Sequence, residues 1–175
     1  QTRKMFFNET GTSGTNESGT ERDSNFSKRI AFNVIPQIDK FIDDGSTKEE
    51  VKMINETKKI LDASIEVSAT CVRVPVFIGH AESVNIEFEN NVNIDEIREI
   101  LGDTSGVSLV DDIETETFIT PIECVSDFSV FVSRLRVDHT VPSGINMWVV
   151  SDNLRKGAAL NSVQIAEELI DRKYI

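Results

Sequence analysis

Acid–base and anion-binding chemistry is concentrated in one apolar stretch. His80, one of two histidines, follows Gly79 at the end of the run ATCVRVPVFIGH at 69–80. Imidazole titrates near neutrality, so a histidine at a strand end suits proton transfer. The plainer role is a turn residue bonded to backbone. His139, between Asp138 and Thr140 in a polar loop, reads as solvated. Arg73 interrupts the apolar neighbours Val72 and Val74. A guanidinium inside an apolar strand needs an anion or an opening to solvent. Two uses stand open: a structural ion pair, or a two-pronged clamp on a substrate carboxylate. Seven residues of straight strand would set Arg73 and His80 about 23 Å apart. They share a site only if the chain bends between Pro75 and Gly79.

Glu56 and Lys59, at i and i+3, share one face of a helix. They form either a solvated surface pair or a split site, with the acid for an ammonium and the amine for a phosphate. The run Asp152-Asn-Leu-Arg-Lys-Gly-Ala-Ala159 opens the last helical pattern. Free N–H groups and small side chains at a helix start can receive a ligand, or Asp152 or Asn153 is an ordinary cap. Cys71 and Cys124 match no zinc or redox spacing. Both sit among apolar neighbours and read as buried thiols, so no cysteine nucleophile is evident.

The elements that must position these residues follow from periodicity. Gln1–Phe7 reads as a helix end. Residues 8–25 contain no apolar side chain and read as a mobile loop. The expected division is therefore 1–27 and 28–175. Pro36 argues against a regular central strand across 29–41, and Asp43-Asp44-Gly45 is a turn. A capping box from Ser46 to Glu49 predicts a helix over Thr47–Leu61. Strands are expected over 65–77, 83–89, 107–110, 128–137 and 145–150. Helices are expected over 94–101, capped at Asn93 and stopped at Gly102, and from about Leu154 to Tyr174. This mixture predicts an α+β fold with a mixed, mostly antiparallel sheet and helices on one face. A sheet with one open face often dimerises.

With 18 Lys and Arg against 30 Asp and Glu among 175 residues, the formal charge is −12, which disfavours nucleic acid as a partner. No stretch reaches the length of a membrane span and no signal peptide opens the chain, so a cytoplasmic protein is expected. The first residue is Gln1, so a native start is not expected there.

Several segments, in order, resemble aspartate-semialdehyde dehydrogenase, in its substrate-binding and dimerisation domain. They are RIAFNVIPQID at 29–39, NETKKI at 55–60, ATCVRVPVFIGH at 69–80, SVNIE at 83–87 and WVVSDNLRKGAALNSVQIAE at 148–167. The resemblance implies a C-terminal domain like that of glyceraldehyde-3-phosphate dehydrogenase and a homodimer formed through it. It implies an enzyme that converts L-aspartyl 4-phosphate and NADPH to the semialdehyde and phosphate. This lies on the route to lysine, methionine, threonine and diaminopimelate. A cysteine thiolate displaces the phosphate and hydride reduces the resulting thioester. Residue by residue, His80 matches the acid–base histidine and Arg73 the arginine on the substrate carboxylate. Glu56 matches the acid facing the ammonium, Lys59 a phosphate-binding lysine, and Asn153 a contact to the nicotinamide carboxamide. No metal is implied. The family's Gly-rich cofactor loop and Asn-Cys-Ser/Thr nucleophile motif do not occur in these residues, so no dehydrogenase activity is expected of the chain alone. The alternatives are a non-catalytic dimerisation module of the same fold and a related acyl-phosphate reductase.

Overall fold

A computed structural model describes residues 26–175; the expected helix end and loop at 1–25 lie outside the described residues. The chain divides into two compact units, one ending at Phe77 and the other spanning Ile78–Ile175.

The described part of the first unit is built around one helix, α1 (Lys48–Ile60). Its start falls one residue later than expected. Thr47, not Ser46, is the cap. The Thr47 hydroxyl accepts from Glu50 N, and the Glu50 carboxylate accepts from Thr47 N at 2.7 Å. Both residues are buried, so the box that forms is the one that packs. Glu49 and Glu50 in the first turn and Lys58 and Lys59 in the last complement the helix dipole. The strand expected over 65–77 does not form. Only Arg73 bridges, exchanging backbone hydrogen bonds with Ile35 at 2.8 and 3.0 Å. Pro75 offers no N–H, and Val76 N turns back onto Val74 O, so no ladder can extend. Ile30, Ala31, Ile35 and Cys71 are the buried apolar residues in the described part of this unit.

The second unit carries the sheet. Its strands are β1 (His80–Glu87), β2 (Val107–Leu109), β3 (Val130–Val137) and β4 (Gly144–Ser151). They lie in the order β1-β4-β3-β2. The β1/β4 and β3/β4 pairs are antiparallel and β2/β3 is parallel, giving the mixed, mostly antiparallel sheet that was expected. Helix α2 (Ile94–Asp103), capped by the Asn93 side chain, packs on β2 and β3. It runs through Gly102 rather than stopping there. Val132, Leu135, Ile145, Val150 and Cys124 form the core. Between Ser133 and Arg136 the register of β3 slips, with Arg134 at φ 56°. The Asp111 carboxylate fills this bulge. It accepts from Arg134 N at 2.6 Å and Leu135 N at 3.2 Å, and pairs with Arg98 Nη2 at 2.6 Å.

The last helix also departs from expectation. Residues Arg155–Ala159 form an irregular turn in which Lys156, Gly157 and Ala158 leave helical dihedral space. Gly157 sits at φ 85°, where glycine is free of the Cβ penalty. The regular helix, α3, covers only Leu160–Asp171. Its apolar residues Val163, Ile165, Leu169 and Ile170 are all exposed.

Candidate functional site

In the first unit, Glu56 and Lys59 project from α1 as exposed side chains. Neither makes a side-chain hydrogen bond or ion pair with a described residue, whereas neighbouring Lys58 reaches Glu66 at 2.9 Å. Arg73 does not lie inside an apolar strand. It is exposed on an irregular segment, with its guanidinium carbon 5.4 Å from the Phe26 ring centroid and no carboxylate partner among the described residues. Among the described residues, Arg73 forms no structural ion pair. A guanidinium resting on a ring and open to solvent keeps its planar donor edge available.

The link between these residues is one that sequence reasoning missed. Glu50 in the first turn of α1 accepts Cys71 N at 2.9 Å through its second oxygen, two residues before Arg73. The backbone N–H donors of Thr47 and Cys71 hold the Glu50 carboxyl below its usual range. The helix bearing Glu56 and Lys59 and the segment bearing Arg73 are thus joined through one carboxylate. The usable signal was Thr47-x-x-Glu50, overlapping the box that was read instead.

In the second unit, His80 opens β1, exposed and in register with Ser151 of β4. Asn153, two residues past that partner, reaches back: its Oδ1 accepts Gly79 N at 2.9 Å. The structure therefore brings His80 and Asn153 to the same end of the sheet. Gly79 has φ +102°, and an added Cβ would stand 3.2 Å from Pro121 Cβ and 3.3 Å from Cys124 Sγ. Only glycine fits this path. The helix start expected at Asp152 and Asn153 is not one, because α3 begins at Leu160. Asp152 instead closes a turn, its carbonyl accepting from Arg155 N and Lys156 N.

Neither cysteine is poised as a nucleophile. Cys124 is fully buried, and its thiol donates to Pro121 O at 3.3 Å. Burial pushes that thiol up, and the Asp152 carboxylate adds to the effect. Cys71 is buried with its sulfur 3.4 Å from Met53 Sδ. Among the described residues no cluster of His, Cys, Asp and Glu could hold a metal ion, and no helix is long and apolar enough to cross a membrane.

Comparison with known proteins places this arrangement. The family model for the semialdehyde dehydrogenase dimerisation domain matches residues 8–156. An aspartate-semialdehyde dehydrogenase of Aquifex aeolicus is 50% identical over 151 residues, covering 86% of this chain and 44% of that protein. The crystal structure of aspartate semialdehyde dehydrogenase II from Vibrio cholerae, complexed with ASA, superposes with a TM-score of 0.82 at 49% identity, covering 88% of this chain and 45% of that one. The Candida albicans enzyme, solved with NADP, superposes at 0.68 with 26% identity, covering 84% of this chain and 47% of that one. The chain spans less than half the length of these relatives. It belongs to the semialdehyde dehydrogenase dimerisation-domain family.

Proposed function

We propose that the chain supplies the substrate-binding and dimerisation part of an NADP-dependent aspartate-semialdehyde dehydrogenase, which reductively dephosphorylates L-aspartyl 4-phosphate to L-aspartate 4-semialdehyde. The observation that carries this reading is 50% identity, over 86% of the chain, to an enzyme of that name. In this reading Arg73 grips the substrate carboxylate through its open donor edge. Glu56 faces the ammonium and Lys59 the phosphate, two exposed charges with no described partner to displace. His80 moves the proton at the reacting carbon's oxygen. With Asn153 Oδ1 engaged by Gly79 N, the Nδ2 donors remain for the carboxamide oxygen of a nicotinamide. The cofactor, when bound, supplies hydride. The nucleophilic thiolate comes from neither Cys71 nor Cys124.

The test is binding of L-aspartate 4-semialdehyde to the purified chain and to Arg73→Lys, followed by NMR. Shifts at the Arg73 side chain that weaken in the variant are expected; identical binding to both proteins overturns the role of Arg73. The chain alone is expected to show no NADPH-dependent rate, and a measurable rate would contradict the assignment of the nucleophile to residues outside it.

A second reading, a dimerisation module without catalysis, draws on the description of the matching family. Semialdehyde binding separates the two: both predict a dimer in sedimentation, but only the first predicts that the ligand binds.

A further inference from the structure

We propose that Asp152 is a positioning residue for His80, acting through Asn153 and Gly79. This deepens the reading of His80 as the acid–base group and rests on it. The geometry forms a closed ring. Asp152 is 3% exposed, and its two oxygens serve two different stretches of chain. Oδ2 accepts from Ser126 N at 2.8 Å, and Oδ1 accepts from Leu154 N at 2.9 Å. Arg155 Nε stands 3.7 Å from Oδ2 and balances the charge, while its guanidinium carbon lies 4.6 Å from the centroid of the Phe128 ring. The Ser126 stretch also contains Pro121 and Cys124, the residues that wall in Gly79 on one side. The Leu154 stretch contains Asn153, which holds Gly79 N on the other. Both walls of the Gly79 slot are therefore fastened to one carboxylate.

Gly79 is where freedom would otherwise enter. Glycine is the residue with the widest choice of backbone angles, and here it directly precedes His80. Its φ is +102°, with Pro121 and Cys124 beside the place a Cβ would occupy and Asn153 Oδ1 accepting from its N–H. With the slot closed, His80 starts β1 in register with Ser151, the residue before Asp152. With it open, the imidazole samples several directions. A carboxylate suits the task because it offers acceptors to two N–H groups and a counter-charge to Arg155. An amide in its place would aim a donor at one of those N–H groups.

The test uses the isotope-labelled 175-residue chain and two NMR readouts, amide hydrogen exchange at Gly79 and the His80 imidazole resonances. In Asp152→Asn, Gly79 exchange is expected to rise about tenfold or more. The single His80 imidazole signal is expected to broaden or split, while the amides of Val132 and Ile145 stay protected. Gly79→Ala should reproduce the His80 signature from inside the slot. Ser126→Gly keeps the N–H and suits the φ of 71°, and should change neither readout. If Asp152→Asn frees Ser126 yet leaves Gly79 exchange and the His80 signals as in the parent chain, Asp152 is a turn cap and the proposal is wrong. Should Asp152→Asn fail to fold, Gly79→Ala and Asn153→Ala decide, and an unchanged His80 signature in both overturns it. Failure of the functional reading would appear separately, as absence of semialdehyde binding, and would leave these spectra as they are.

Discussion

Glu50 and Cys71 lie 21 residues apart in sequence and are joined by a hydrogen bond of 2.9 Å from the Cys71 backbone to the Glu50 carboxylate. The same carboxylate closes the capping box of α1. One side chain thus fixes both the start of the helix and the segment that leads to Arg73.

That double duty makes the first unit sensitive to acid. The folded Glu50 carboxyl lies below its ordinary value of 4.5 because two backbone N–H groups favour its charged form. A depressed carboxylate contributes stability that is complete above the unfolded value and lost as the pH falls through the folded one. Asp44, Asp62, Asp112, Asp127 and Asp138, all held below 3.8, act in the same direction. The midpoint of thermal unfolding, followed by circular dichroism, should therefore fall steadily below about pH 4.5. Glu50→Gln should melt lower than the parent at neutral pH, and the gap should shrink as the pH falls. A constant gap would show that the Glu50 charge is irrelevant.

The bulge in β3 gives a second expectation. Asp111 is nearly inaccessible, and it holds Arg98, Arg134 N and Leu135 N together. Asp111→Ala strands a guanidinium and two amides, and should cost about 2–4 kcal/mol in urea denaturation. Adding Arg98→Met should recover part of that loss, because the two residues share one network. Strict additivity would argue against the network.

For ligand binding, the exposed charges make the more specific forecast. Replacing Arg73 by Lys keeps the charge and removes the forked donor geometry, so affinity for a carboxylate ligand should fall about tenfold or more. Glu56→Gln should weaken binding of an amino-acid ligand and leave its deaminated analogue unaffected. Equal losses for both ligands would remove Glu56 from ammonium recognition. Calorimetry on the folded chain measures each.

Thiol chemistry supplies a fourth check. Cys71 and Cys124 are both buried, and the Cys124 thiol is held protonated by burial and by Asp152. A disulfide reagent at neutral pH should label neither in the native chain and both after unfolding. Rapid native labelling of Cys124 would reopen its assignment as inert.

Much of the second unit was legible from pattern alone. The alternation of Val84 and Ile86 with polar neighbours marked β1, and Asn93 marked the start of α2. These signals are local, and each falls within one turn or one strand. The errors arose where distant residues decide. The apolar run 65–77 has strand-forming residues, yet Pro75 and the single partner Ile35 limit it to one bridge. The helix expected from Leu154 is broken at Gly157, which takes a left-handed turn that the run of small residues at 157–159 does not announce. In the candidate site, His80 and Arg73 were visible as residue types out of place. Their supports, Glu50 beside Cys71 and Asn153 beside Gly79, were not visible, because contacts across 21 and 74 residues leave no mark in the periodicity.

The position of β1 carries one last implication. It lies at the margin of the sheet, bonded to β4 along one flank, and its Glu82 and Glu87 are exposed. Laying two such margins side by side would crowd like-charged acids along the seam, so growth into a continuous ribbon of copies is opposed electrostatically.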